Sequence, residues 1–147
     1  RLFREGMDLV EETAEYLDGQ GRQTAKQLER SAGLAYASES MRLTTRLMQS
    51  ASWLLVQRAV REGEMSAHDA RDPKYRLGAR SVCETQTDAA LLFLQNYIFM
   101  ARSARLYERV DRLEASLFDV DTPPAENPVN AQLIRLQAAL SAAALNN

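Results

Sequence analysis

The sequence predicts an all-α fold, an antiparallel three-helix bundle with two long helices and a C-terminal tail. The chain has only six glycines and four prolines among its 147 residues, and they fall in clusters between long uninterrupted stretches. Those stretches repeat apolar residues at helical spacing, and no stretch alternates as a strand does. We therefore expect the bundle over residues 1–118 and a linker with a tail over residues 119–147.

The first two helices are bounded by glycines. The first is predicted over residues 1–17, and Gly19 with Gly21 should end it because glycine adopts left-handed backbone without steric penalty. The second is predicted to begin near Thr24, which has capping-box spacing to Gln27, and to end before Gly63. Its apolar surface is wider than one seam, so two neighbours are implied. One row holds Ala37, Met41, Thr44, Met48, Ala51, Leu55 and Ala59, and the other holds Tyr36, Leu43, Leu47 and Leu54.

The third helix is predicted from about Ser81 to Phe118, after a connection in which Ser66 and Asp69 have capping-box spacing. Ser81 and Glu84 form a second such pair. We expect this helix to pack antiparallel to the second one. Its apolar seam consists of Leu92, Phe99, Leu106, Val110, Leu113 and Leu117, and a second row consists of Phe93, Tyr97, Met100, Ala104 and Tyr107.

The tail is predicted to contain a short amphipathic helix after the paired prolines 123 and 124. Asn127 is placed to cap it, with Pro128 in the first turn, where its missing amide proton costs nothing. Leu133, Leu136 and Leu140 form an apolar stripe. This segment either docks on the bundle or waits for a partner, and the sequence leaves both open.

Composition excludes most catalytic chemistry. One cysteine rules out an internal disulfide, and one histidine rules out sites that need two imidazoles. We expect no metal and no cofactor. Cys83 and His68 are the only thiol and imidazole, and we interpret both as ordinary residues, so we predict no catalytic residue. The net charge of -2 gives no reason to expect nucleic acid or an anionic membrane. The apolar stretch 89–101 is too short to span a bilayer.

Two features are candidate partner-binding sites. Arg102, Arg105, Arg109 and Arg112 share one face of the third helix, where an acidic protein or a phosphate backbone could bind, although acidic residues in the same turns favour a self-paired, solvated face. Trp53 does not share the row of Ala51 and Leu55, so it lies either in a second internal contact or at an interface. Apolar surface on several sides of one helix favours a homodimer.

Residues 39–66 and 1–18 also resemble a known family. The segments ESMRLTTRLMQSASWLLVQRAVREGEMS and RLFREGMDLVEETAEYLD strongly resemble the alphaproteobacterial family of the regulator of CtrA degradation, RcdA. The segment LYERVDRL at 106–113 fits more loosely, and the tail matches weakly.

The resemblance implies a cytoplasmic adaptor without enzymatic activity. Such an adaptor delivers protein cargo, CtrA-like transcription regulators, to the ClpXP protease during the cell cycle, together with a response regulator and a cyclic-di-GMP effector. It also implies a dimeric three-helix bundle, recruitment to a cell pole by partners, and a tail connected with adaptor function. The candidate surfaces are then the arginine face, the tail leucines and any exposed part of the second helix around Trp53. The alternative is a nucleic-acid-binding or transcriptional accessory protein that uses the arginine face.

Overall fold

The computed structural model describes residues 1–85 and 94–118. Within these residues every regular element is helical, which confirms the all-α prediction. The chain divides into two compact units, Arg1–Ala115 and Ser116–Asn147. The predicted tail helix lies outside the described residues.

The N-terminal segment forms α1, Leu2–Asp18, and a short helix α2, Gln20–Ala25. Gly19 separates them, as predicted, but its backbone at φ -101° and ψ -104° is not left-handed. Gly21 has a different role from the predicted helix stop. A Cβ atom there would lie 2.5 Å from Tyr36 Oη and 2.9 Å from the Tyr16 carbonyl oxygen, so close approach to these residues requires glycine.

The long helix α3 covers Arg30–Glu62. The predicted capping box at its start is wrong, because Thr24 lies inside α2 and its hydroxyl donates to the Gln20 carbonyl at 2.9 Å. The helix begins instead after Glu29, whose backbone is extended. Its end is as predicted: Gly63 is left-handed at φ 78°, and its N–H bonds the Val60 carbonyl at 3.2 Å.

The connection after Gly63 contains two short 3-10 turns, Asp69–Arg71 and Pro73–Tyr75. The predicted pairing at its start is confirmed, because the Ser66 hydroxyl accepts the Asp69 N–H at 3.0 Å and donates to the Asp69 carboxylate at 2.7 Å.

The predicted third helix is divided into α4, Arg80–Glu84, and α5, Leu94–Phe118. The prediction of one continuous helix from Ser81 is wrong, because Thr85 has extended backbone at φ -60° and ψ 130°. Ser81 does not cap α4, which follows a left-handed Ala79 at φ 49°. The carbonyls at the end of α4 instead accept hydrogen bonds from Arg46 of α3.

Helix α1 runs antiparallel to α5. Tyr16, near the end of α1, packs against Phe99, near the start of α5, with ring centroids 5.0 Å apart. Glu5, near the start of α1, pairs with Arg109, further along α5, at 2.6 Å. The start of each helix therefore lies beside the end of the other, as antiparallel packing requires.

Helix α1 also runs antiparallel to α3, since Gly6 faces Leu54 and Phe3 stacks under Arg58, whereas Gly21, in α2 beyond the end of α1, faces Tyr36. Helix α1 is therefore antiparallel to both long helices. The long helices share one direction, contrary to the expectation for that pair. The two long helices can share a direction because the connection after Gly63 runs back along α3 before α5 begins.

The core lies between α1, α3 and α5, and most of its members are large apolar residues. The second predicted row of α3 points into it, whereas the row with Met41 and Met48 does not. The buried residues packed together are Leu9, Tyr16, Leu43, Leu47, Trp53, Leu54, Leu77, Cys83, Phe99, Met100, Leu106, Tyr107 and Val110.

Candidate functional site

The side of α3 that points away from the core carries a row of large apolar residues spaced seven apart. Their exposed fractions are 66% for Leu34, 73% for Met41, 60% for Met48 and 51% for Leu55. The row spans about 32 Å along the helix. A stretch of this length with four exposed large apolar side chains is a candidate interaction site, because isolated domains rarely leave such patches uncovered.

Beside this apolar row lie small residues without charge. We call the two together the outer face of α3. Thr44 and Thr45 belong to it, and their hydroxyls donate to the carbonyls of Ser40 and Met41 at 2.8 and 2.9 Å. Because these hydroxyls already donate within the helix, a partner can cover the threonines without leaving a buried donor unsatisfied. The small residues are Ala37, Ser38, Thr44, Thr45, Ala51, Ser52 and Ala59.

The seven-residue spacing explains why the outer face stays outside. Residues two positions after the first three members of the apolar row, Tyr36, Leu43 and Ser50, are 9%, 0% and 0% exposed, and Gln57, two positions after Leu55, is partly buried. A helix places such residues about 200° around its axis from the apolar row. The core therefore takes one side of α3 and leaves the other uncovered.

The predicted arginine face is divided by contacts with α1. Arg102 forms a two-pronged pair with Glu12, and Arg109 pairs with Glu5. The hydrogen bond from each arginine lowers the pKa of its glutamate. Arg105 and Arg112 are exposed, and in the described residues neither has an ion pair. Of the four predicted arginines, Arg105 and Arg112 are therefore the two whose guanidinium groups are not engaged by a glutamate of α1.

Of the remaining predicted site residues, Trp53 is 5% exposed and belongs to the core. Its indole is therefore not part of the exposed surface of this chain. The exposed residues near it on α3 are Leu55 and Ser52. Leu133, Leu136 and Leu140 lie outside the described residues, so their placement stays a prediction.

The thiol of Cys83 is 2% exposed and lies beside Arg46. Burial raises the pKa of the thiol against the opposing effects of Arg46 and the Tyr107 hydroxyl. His68 is 98% exposed at its side chain, and its neighbour is Asp69. The thiol and the imidazole are therefore not brought together as a nucleophile and its base.

Arg46 is a buried cation that holds the end of α4. Its Nε donates to the Cys83 carbonyl at 2.6 Å, and its Nη2 donates to the Thr85 carbonyl at 2.9 Å. A third contact reaches the Met100 carbonyl of α5 at 3.5 Å. Burial lowers the pKa of Arg46. One side chain thus ties α3, α4 and α5 together next to a cleft of about 480 Å³ between α4 and α5.

Glu114 is a buried anion with a related structural role. It is 1% exposed, and it accepts the Leu77 N–H at 2.7 Å and Arg80 at 3.0 Å. On the other side of the connection, the Gly78 N–H donates to Gln49 at 2.8 Å. The segment before α4 is therefore fastened to both long helices.

Comparison with known proteins identifies the family. Residues 1–140 match the family described as protein of unknown function DUF1465. The crystal structure of RcdA from Caulobacter crescentus CB15 is 53% identical in sequence, with a TM-score of 0.62, and the match covers 80% of this chain and 88% of that chain. The chain belongs to the RcdA family. No curated protein sequence matches it.

In this RcdA-family chain, the described residues contain no group of three or more His, Cys, Asp or Glu side chains that could hold a metal. No helix within residues 1–85 and 94–118 is long and apolar enough to cross a membrane. The exposed features of the chain include the outer face of α3 and the pair Arg105 and Arg112. Other exposed large apolar side chains are Val82, Tyr97, Ile98, Leu113 and Leu117.

Sequence reasoning missed Arg46 and Glu114. Both are charged residues on helices, and such residues normally face solvent. The sequence does contain one signal for Arg46, because the helical spacing places it on the same side of α3 as Leu43, Leu47 and Ser50. No comparable local signal marks the carboxylate, whose partners come from the connection.

Proposed function

We propose that this chain is a non-enzymatic adaptor in regulated proteolysis, which tethers CtrA-like cell-cycle regulators for degradation by the ClpXP protease. Membership of the RcdA family supports the biological context. The observation that carries the proposal is the outer face of α3, where four exposed large apolar side chains lie beside small uncharged residues. Tethering raises the effective concentration of cargo at the protease and needs no chemistry of its own.

We further propose that the occupant of the outer face is a second copy of the chain. Exposed apolar area supports this choice. If both copies cover their four large side chains, those side chains alone bury on the order of 1,000 Å², and the small residues add to it. The total then falls within the range of roughly 1,200–2,000 Å² that stable interfaces bury.

The order of large and small residues favours an antiparallel pair of α3 helices. With a two-fold axis near residue 46, Met41 lies opposite Ala51 of the partner subunit. In the same register Met48 lies opposite the partner's Thr44, and Leu55 lies opposite the partner's Ala37. Three of the four large side chains then meet a small one, which allows close helix packing at the centre of the face, whereas Leu34 lies opposite the partner's Arg58. One patch serves both copies, as a two-fold interface requires.

Sedimentation equilibrium of two variants tests the dimer. Met48→Glu buries a carboxylate in the interface, so we expect the dimer to dissociate while the circular dichroism stays unchanged. Ile98→Glu is the matched control, because Ile98 is 43% exposed on α5; this variant should remain dimeric. A monomeric unmodified chain, or a Met48→Glu dimer of unchanged affinity, would contradict this assignment.

Reconstituted degradation tests the adaptor role. Purified ClpXP, a CtrA-like cargo, a response regulator and a cyclic-di-GMP effector are combined with or without this chain, and the cargo half-life is measured. We expect the chain to shorten the half-life, without cleaving cargo itself. A half-life that does not depend on the chain would refute the adaptor proposal.

The remaining surfaces are assigned to partner binding. We propose that Arg105 and Arg112 contact an acidic partner, and that the tail leucines contribute to delivery. Arg105→Ala with Arg112→Ala should slow delivery, whereas Arg61→Ala on α3 should not. Truncation after Phe118 should slow delivery without unfolding the bundle. Unchanged delivery by these variants would remove their surfaces from the proposal.

Nucleic-acid binding has weaker support, because Arg102 and Arg109 are engaged by glutamates of α1. A salt titration distinguishes the two functions. Binding to phosphates weakens steeply with salt, whereas apolar docking does not.

A further inference from the structure

The sulfur atoms of the chain differ strongly in their access to solvent. Met41 and Met48 are 73% and 60% exposed, both in the middle of the outer face of α3. Met7 and Met65 are partly buried, Met100 is 3% exposed, and Cys83 is 2% exposed with a raised thiol pKa. Since thiols react as thiolates, burial protects the cysteine from oxidants. A dissolved oxidant therefore reaches the two outer methionines first.

We propose that Met41 and Met48 are a reversible oxidation site, at which a hydroperoxide switches off self-association through the outer face. This inference rests on the proposed dimer and adds its regulation. The chain is open to the oxidant while it is dissociated, when both thioethers face solvent. Oxidation then traps it in that state.

The reaction at each methionine is a transfer of one oxygen atom. A lone pair of Sδ attacks the distal oxygen of the hydroperoxide, the O–O bond breaks, and an S–O bond forms. The leaving oxygen takes a proton and departs as water or an alcohol. The thioether loses two electrons and the peroxide gains them. A reductase that uses two thiols reverses the change, releasing the oxygen as water and forming a disulfide.

In the proposed dimer, the residues directly opposite the methionines have no free donor to offer the new sulfoxide oxygen. The residues opposite the methionines are the partner's Ala51 and the partner's Thr44, and an alanine side chain has no donor. The Thr44 hydroxyl already donates to the Ser40 carbonyl. A sulfoxide is a strong acceptor, and burial without a donor is unfavourable. We expect the dimer dissociation constant to rise about tenfold or more for each methionine oxidised.

Peroxide treatment of the full chain tests the proposal. Hydrogen peroxide is added, peptide mass spectrometry locates each gain of oxygen, and sedimentation measures the dimer. We expect Met41 and Met48 to be oxidised before Met100, the dimer to dissociate, and methionine sulfoxide reductase to restore it.

The double variant Met41→Leu with Met48→Leu is the control, because leucine keeps the apolar surface and has no sulfur. It should dimerise and stay dimeric after peroxide. If this variant dissociates as the unmodified chain does, another residue is responsible and the proposal fails.

Two further results overturn the proposal in distinguishable ways. A dimer that survives complete oxidation of both methionines refutes the switch and leaves the dimer standing. A chain that is monomeric before any treatment refutes the dimer itself, and the switch with it.

Discussion

Replacement of Arg46 by methionine tests whether the buried guanidinium holds α4 in place. Methionine fills a similar volume and removes all the donors. The carbonyls of Cys83 and Thr85 then lose partners at 2.6 and 2.9 Å, while the contact to Met100, at 3.5 Å, was already weak. We expect Arg46→Met to destabilise the chain.

The magnitude follows from two opposing effects. Each of the two strong hydrogen bonds from a charged donor contributes about 1.5–3 kcal/mol, and the carbonyls left behind lose their partners. Removing a buried charge also removes its desolvation penalty, which offsets part of the loss. We expect a net loss of about 3 kcal/mol in the free energy of unfolding. With a slope of about 2 kcal/mol per molar urea, the unfolding midpoint falls by about 1.5 M.

The assay is urea unfolding followed by far-ultraviolet circular dichroism at one fixed protein concentration. Arg61→Met is the matched control, because Arg61 is exposed near the end of the same helix; its effect should stay within about 0.5 kcal/mol. Hydrogen exchange of the α4 amides should accelerate only in Arg46→Met. If Arg46→Met is as stable as the control, the carbonyl contacts contribute nothing and our reasoning is wrong.

Three other predictions use different parts of the molecule. Gly21→Ala should destabilise by about 1–3 kcal/mol because its Cβ has no space, whereas Gly33→Ala, with no atom within 4 Å, should stabilise α3 by about 0.5–1 kcal/mol; thermal unfolding measures both. Burial raises the pKa of Tyr107 to about 12, so the free energy of unfolding should fall as the pH rises from 10 towards 12. In an absorbance titration, Tyr107→Phe should lack the late ionisation phase that this tyrosine gives in the unmodified chain. Glu5 and Glu12 have lowered pKa values, so the stability from their ion pairs is present above pH 4.5 and is lost as the pH falls through the folded-state pKa values. In urea unfolding measured at a series of pH values, the double variant Glu5→Gln with Glu12→Gln should lose less stability towards acid than the unmodified chain. An unchanged acid dependence would contradict the assignment.

Helix ends marked by one residue could be predicted from the sequence, and helix ends made by distant contacts could not. Gly63 ends α3 because its own backbone is left-handed, and Ser66 pairs with Asp69 three residues away. The end of α4 depends on Arg46, which is 37 residues away along the chain. A local pattern cannot contain that contact, so the predicted helix continued through Thr85.

The same limit applies to the candidate site. Four arginines on one face of α5 were visible in the sequence, but two of them are used by α1. The partner of Arg109 is 104 residues away and depends on the register of α1 against α5. Likewise, two apolar rows of α3 were visible, and periodicity alone could not say which one the core would cover.

The difference between the two rows of α3 also explains why the outer face, and not the buried row, is suited to binding a partner. The buried row of α3 tolerates polar residues, such as Arg46 and Ser50, because other parts of the chain surround them. The outer face has no such surroundings, and between Leu34 and Leu55 its rows contain only apolar, small or internally hydrogen-bonded side chains. A helix face that always stays in water is not limited to such residues, because charged side chains are readily accommodated there. The restriction is understandable if the face is repeatedly covered and uncovered, as the arrangement of a reversible dimer requires.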